Sequence, residues 1–65
     1  MKDRDIEVIK GLADNGMNVS QTAKALFMSK RTVWRSIERI QKLTELNPRN
    51  FWDLVELLKM IGEIV

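Results

Sequence analysis

The chain has no cysteine and no histidine. Without cysteine it can form neither a disulfide nor a thiolate metal site. Without histidine it lacks the commonest general base, the commonest metal ligand and the usual partner of a nucleophilic serine. Its three glycines are scattered, so there is no glycine-rich phosphate loop. There is one proline, no tyrosine, and no apolar run near the roughly 20 residues needed to cross a bilayer. The N-terminus MKDRDIEVIK alternates charged and apolar residues and is not a signal peptide. Together these gaps argue against acid–base or metal catalysis, a disulfide scaffold and a membrane protein. The expectation is a cytoplasmic protein with no cofactor, no metal and no evident small-molecule site.

What is present is helical. Strong helix formers dominate and strand-like alternation is absent, so the class is all-α. Sixty-five residues make at most one domain, and we read 1–65 as a single unit. A core this small is marginal on its own, which leaves tight helix packing and oligomerisation as supports. The net charge of +2 is unevenly spread. Residues 1–23 carry three basic and four acidic side chains. Residues 24–42 carry Lys24, Lys30, Arg31, Arg35, Arg39 and Lys42 against Glu38 alone. Residues 43–65 carry two basic and four acidic side chains. A basic block between mildly acidic flanks is a footprint for a polyanion, although a solvated helix face gives the same count.

The periodicity predicts helices over about 3–14, 19–26, 30–44 and 49–64. In the first, Ile6, Val8, Ile9, Leu12 and Ala13 share an arc. Asp3, Asp5 and Glu7 sit in or near its first turn, where the helix dipole favours acids. Gly11 marks a close approach of another helix, and Asn15-Gly16 ends the helix in a left-handed turn. Asn18 caps the second helix, with Gln21 completing a capping box. Val19, Thr22, Ala23 and Leu26 form its inner face. Phe27-Met28 is the turn and Ser29 caps the third helix. A small residue is usual at position 27. Phenylalanine there implies either positive φ or a different turn with the ring packed on helix one or four.

The third helix has an inner arc of Val33, Ser36, Ile37, Ile40 and Leu43. Its outer arc is Arg31, Arg35, Glu38, Arg39 and Lys42, with Lys30 at the leading turn. Two short-linked helices, the second with a cationic outer face, are the sequence form of a helix-turn-helix. Trp34 lies on the flank, either as an edge of the core or as a ring against sugar or a thymine methyl. Pro48 breaks the chain before the fourth helix, and Leu46 tucks into the core. In that helix Phe51, Leu54, Val55, Leu58, Ile61 and Val65 form one apolar arc, and Leu57, Met60 and Ile64 form a second. The first arc should pack on helices one and three. The second predicts a symmetric homodimer interface, unless helix one covers both. The acidic polar face disfavours a membrane surface.

The run TAKALFMSKRTVWRSIERIQKLTEL, followed by DLVELLKMI, resembles the C-terminal DNA-binding domain of PucR/CdaR-type bacterial transcription regulators. Such domains show T-A-x-x-L, then R-x-T-V or N-T-V, then R-x-x-x-I-x-x-L, then a T-G-L turn before a leucine-rich helix. The corresponding stretches are Thr22-Ala23-Lys24-Ala25-Leu26, which matches in full, and Arg31-Thr32-Val33, Arg39-Ile40-Gln41-Lys42-Leu43 and Thr44-Glu45-Leu46, which match in part. The resemblance covers about Leu12 to Ile61. Four positions depart: Glu45 replaces the glycine of the turn, Ser29 a histidine, and Arg35-Ser36 a tyrosine-arginine pair. In that family the domain follows larger sensor regions, which suggests either a stand-alone regulator or an excised domain.

The expected function is sequence-specific binding of double-stranded DNA as a small transcription regulator. Base-edge candidates are Lys30, Arg31, Trp34 and Arg35. Phosphate candidates are Asn18, Ser20, Gln21, Ser29, Thr32, Arg39 and Lys42. A small helical interaction module, adaptor-like or antitoxin-like, is the alternative.

Overall fold

A computed structural model describes residues 1–62. Four helices follow one another: α1 (Asp3–Asp14), α2 (Val19–Ala25), α3 (Lys30–Thr44) and α4 (Phe51–Met60). The described residues contain no strand, in keeping with the all-α helix-turn-helix reading.

Each helix after the first starts on a side-chain cap that the sequence supplies. Asn18 Oδ1 accepts from the Gln21 N–H (2.9 Å), Ser29 Oγ from the Thr32 N–H (3.1 Å) and Asn50 Oδ1 from the Asp53 N–H (3.2 Å). These bonds satisfy donors that the helix itself leaves unpaired. The α1–α2 turn differs slightly from expectation. Asn15 stays at negative φ, and the left-handed pair is Gly16 (φ 62°) and Met17 (φ 64°). The Met17 N–H bonds to the Leu12 carbonyl, and Met17 packs against the core. That anchorage holds a side chain where glycine would be easier.

Two apolar clusters meet on α1. Val8 and Leu12 pack with Ala23 of α2 and with Val33 and Ile37 of α3. Ile9 packs with Ile40 of α3 and with Leu54 and Leu57 of α4. Side chains on α1 therefore divide between the helix-turn-helix and the C-terminal helix. Gly11 is buried where α2 crosses α1: a methyl group there would lie 2.8 Å from Thr22 Cγ2 and 3.1 Å from Leu26 Cδ1. Thr22 cannot easily yield, because its hydroxyl is tied to the Asn18 carbonyl at 2.8 Å.

The α4 expectation needs correction. Leu57 is fully buried, so it belongs to the core and not to an interface. Phe51, assigned to the core arc, is instead exposed beside Trp52, with the two rings edge to face at 5.0 Å. Leu54 and Leu57 point inward, supported by Leu58 and Ile61, while Met60 faces out. Helix α4 also begins two residues later than expected. Asn47 Oδ1 accepts from the Arg49 N–H (2.9 Å), the Asn47 N–H donates to Asp53 Oδ2 (3.0 Å), and Asn50 takes the cap. Ile64 and Val65 lie outside the described residues. Leu43, placed on the inner arc of α3, is exposed.

Candidate nucleic-acid interface

The second helix of the helix-turn-helix, α3, has two chemically opposite sides. Val33, Ser36, Ile37 and Ile40 are buried. Lys30, Arg31, Trp34, Arg35, Glu38 and Lys42 are exposed. At 100° per residue, Arg31, Trp34, Arg35, Glu38 and Lys42 fall within one outward arc. Lys30 leads into it at the first turn. Among the described residues, the head groups of Lys30, Arg31, Arg35 and Lys42 make no ion pair or hydrogen bond. Four cations therefore share one face with the single carboxylate of Glu38, and none of the four is tied up in an ion pair among the described residues.

Arg39 behaves differently. It sits at the margin of that arc and turns toward Asp5 of α1. Its Nη2 donates to Asp5 Oδ1 at 2.7 Å, and its Nε lies 3.2 Å from both carboxylate oxygens. Nη2 also donates to the buried Ser36 hydroxyl at 3.2 Å. Asp5 is 0 % exposed and the Arg39 side chain 35 %. Burial pushes the Asp5 carboxyl up, but the Arg39 hydrogen bonds and charge outweigh it, so its pKa falls below the ordinary value. The same hydrogen bonds raise the Arg39 guanidinium further. In the free protein these contacts hold Arg39 on α1, with only its remaining donors available to a phosphate. Sequence reading assigned Asp5 to the helix dipole and missed its partner, 34 residues away.

The other candidates separate into groups. The Ser29 hydroxyl caps α3 and lies 3.0 Å from the Thr32 hydroxyl, so the helix N-terminus presents two linked hydroxyls beside Lys30 and Arg31. Asn18, Ser20 and Gln21 stand at the far end of α2, about 10 Å of helix from the turn. Asn18 is engaged as the cap, and Ser20 is half-buried. The turn carries Phe27 at φ 55° with its ring 97 % exposed. The backbone is left-handed as one alternative required, but the ring does not pack on helix one or four. Glu45, where the resemblance expects glycine, is also left-handed (φ 60°) and closes α3 through its N–H to the Gln41 carbonyl.

One further cation reaches this surface from outside α3. The Arg49 guanidinium lies 4.8 Å from the centroid of the Trp34 ring, and Trp34 is 40 % exposed. Position 34 was legible as a flank; its partner in the α3–α4 turn was not.

Residues 6–60 match the family described as the PucR C-terminal helix-turn-helix domain. No curated protein and no solved structure matches the chain. The chain belongs to the PucR C-terminal helix-turn-helix family, whose members point to DNA binding and transcription regulation and are typically not enzymes. No described helix is long and apolar enough to cross a membrane.

Proposed function

We propose that this PucR-type domain, over its whole length, binds specific duplex sites in the cytoplasm with the outer face of α3 in the major groove. The observation that carries the reading is the set of cations on that face, none in an ion pair among the described residues: Lys30, Arg31, Arg35 and Lys42. Lys30, Arg31 and Arg35, near the helix start, take the base edges, where arginine pairs in bidentate fashion with guanine. Lys42, with Ser29 and Thr32 at the opposite end, meets phosphate and sets the register. Asn18, Ser20 and Gln21 offer the N-terminal end of α2 to the backbone on one side.

The regulator works as a homodimer, with two α3 helices reaching half-sites about 34 Å apart or a multiple of it. The joining surface is the outward side of α4. Leu57 is excluded by burial, so Met60, Phe51, Trp52 and the half-buried Val55 supply it. Two exposed aromatic rings in contact at one end of α4, with an exposed methionine at the other, are an unusual amount of apolar surface to leave in water. Glu56 and Lys59, 3.7 Å apart on the same helix, offer both signs of charge to a second copy across a two-fold axis. The same patch also favours a second reading, an adaptor that binds protein and not DNA.

Duplex binding across a salt series separates the two readings. The DNA reading expects affinity to fall steeply as salt rises, through counterion release. The triple variant Arg31→Ala, Arg35→Ala, Lys42→Ala should lose at least about 100-fold in affinity and flatten that slope. Unchanged affinity in the folded triple variant would overturn the DNA reading.

A further inference from the structure

Trp34 stands on the flank of the exposed face of α3, and one face of its ring is taken by Arg49. Arg49 is held for this position by its own backbone. Its N–H donates to Asn47 Oδ1 at 2.9 Å, and the Asn50 N–H closes the turn onto the Asn47 carbonyl at 2.9 Å. The Asn47 N–H is in turn fixed by Asp53 Oδ2, and Pro48 between them is buried. The turn is thus rigid where Arg49 leaves it. Among the described residues the Arg49 guanidinium makes no ion pair and no hydrogen bond. An arginine stacked on an indole keeps its edge donors directed outward, which suits a phosphate oxygen.

We infer that Arg49 is a phosphate-binding residue of the DNA interface and that Trp34 is its positioning platform, not a reader of bases. The assignment rests on the DNA-binding reading above. It extends the cationic face of α3 onto the turn before α4, so that two separate elements grip the duplex. It also explains why a large aromatic ring can occupy the face that enters the groove. The ring orders a charge that would otherwise swing on a flexible stem, and that lowers the entropy lost on binding. The opposite treatment of Arg39 sharpens the point. That arginine is consumed by Asp5, whereas Arg49 meets only a neutral π face.

The test is duplex binding across a salt series for the wild-type chain and four variants. Arg49→Ala is expected to weaken binding about five-fold on specific and unrelated duplexes alike, and to reduce the salt slope by about 0.9. Trp34→Ala should reproduce both effects although Arg49 is present. The double variant should be no weaker than either single one. Trp34→Phe, which keeps a π face, should restore most of the affinity and the slope. A folded Arg49→Ala with wild-type affinity and slope would overturn the assignment while leaving the DNA reading intact. So would a Trp34→Ala variant that changes preference at one base position without changing the slope. Failure of the wild-type chain to bind any duplex in a salt-sensitive way would remove the DNA reading and this assignment with it.

Discussion

Helices α3 and α4 differ in how sharply their two sides are separated. On α3, Val33, Ser36, Ile37 and Ile40 are buried and the opposite arc carries cations with Glu38 as its one acid. On α4, Leu54 and Leu57 are buried, yet Phe51, Trp52 and Met60 are exposed on the same short helix. One helix has its sidedness written in its residues. The other is apolar on both sides and takes its sidedness from its neighbours. A period of 3.6 identifies a buried stripe only when the rest of the circumference is polar. That is why the helix with the clearer pattern is also the one whose function is easier to propose.

The largest expected effect breaks this comparison at its weakest point, α4. Leu57→Glu places a charge in the core and should cost more than about 4 kcal/mol, enough to leave a 65-residue domain largely unfolded. Met60→Glu, one turn on but exposed, should melt like the wild type and only weaken self-association. Circular dichroism and light scattering on the two variants check this. A folded, monomeric Leu57→Glu would restore the interface that sequence reading expected there.

The second effect concerns the margin of α3. Asp5→Ala should cost about 2 kcal/mol, below the about 3–5 kcal/mol for a fully enclosed pair, because Arg39 can swing toward water. The Asp5 carboxyl titrates lower in the folded chain than in the unfolded one. Its contribution is therefore present above the unfolded value of about 4 and is lost as pH falls through the lower folded value. Thermal melts at pH 7 and at pH 3 should show a smaller acid loss for Asp5→Ala than for the wild type. An identical acid loss would mean that the pair does not couple to folding.

The smallest effect lies at the end of α3. Glu45→Gly should stabilise the domain by about 1 kcal/mol, because glycine occupies the left-handed region without a side-chain penalty. A destabilised variant in a denaturant titration would show that Glu45 makes up for its strain with a contact of its own.

Much of the helix-turn-helix is legible in the sequence alone. Asn18 and Ser29 announce the helix starts by side-chain chemistry, and Ala23, Val33 and Ile37 recur at helical spacing and are all buried. Gly11 also signalled the close crossing it occupies. Three features were not readable, each for a physical reason. The Asp5–Arg39 pair depends on contact between distant segments, which local periodicity does not encode. Leu43 has the inward angle yet is exposed, since burial depends on how far along α3 the other helices reach and not on the angle alone. The start and rotation of α4 follow from the Asn47–Asp53 and Asn50 hydrogen bonds, which compete with a helix beginning at Arg49. At the interface, the cations of α3 were legible from composition, whereas Arg49 on Trp34 required the turn to be folded.

The most direct measurement is an amide chemical-shift titration of the labelled chain with a duplex chosen from random oligonucleotides. The largest changes are expected at Ser29–Lys42 and at Arg49, with the exposed face of α4 much less affected. Changes confined to Phe51–Met60, with Arg31, Arg35 and Lys42 silent, would contradict the assignment of the DNA-facing surface to α3.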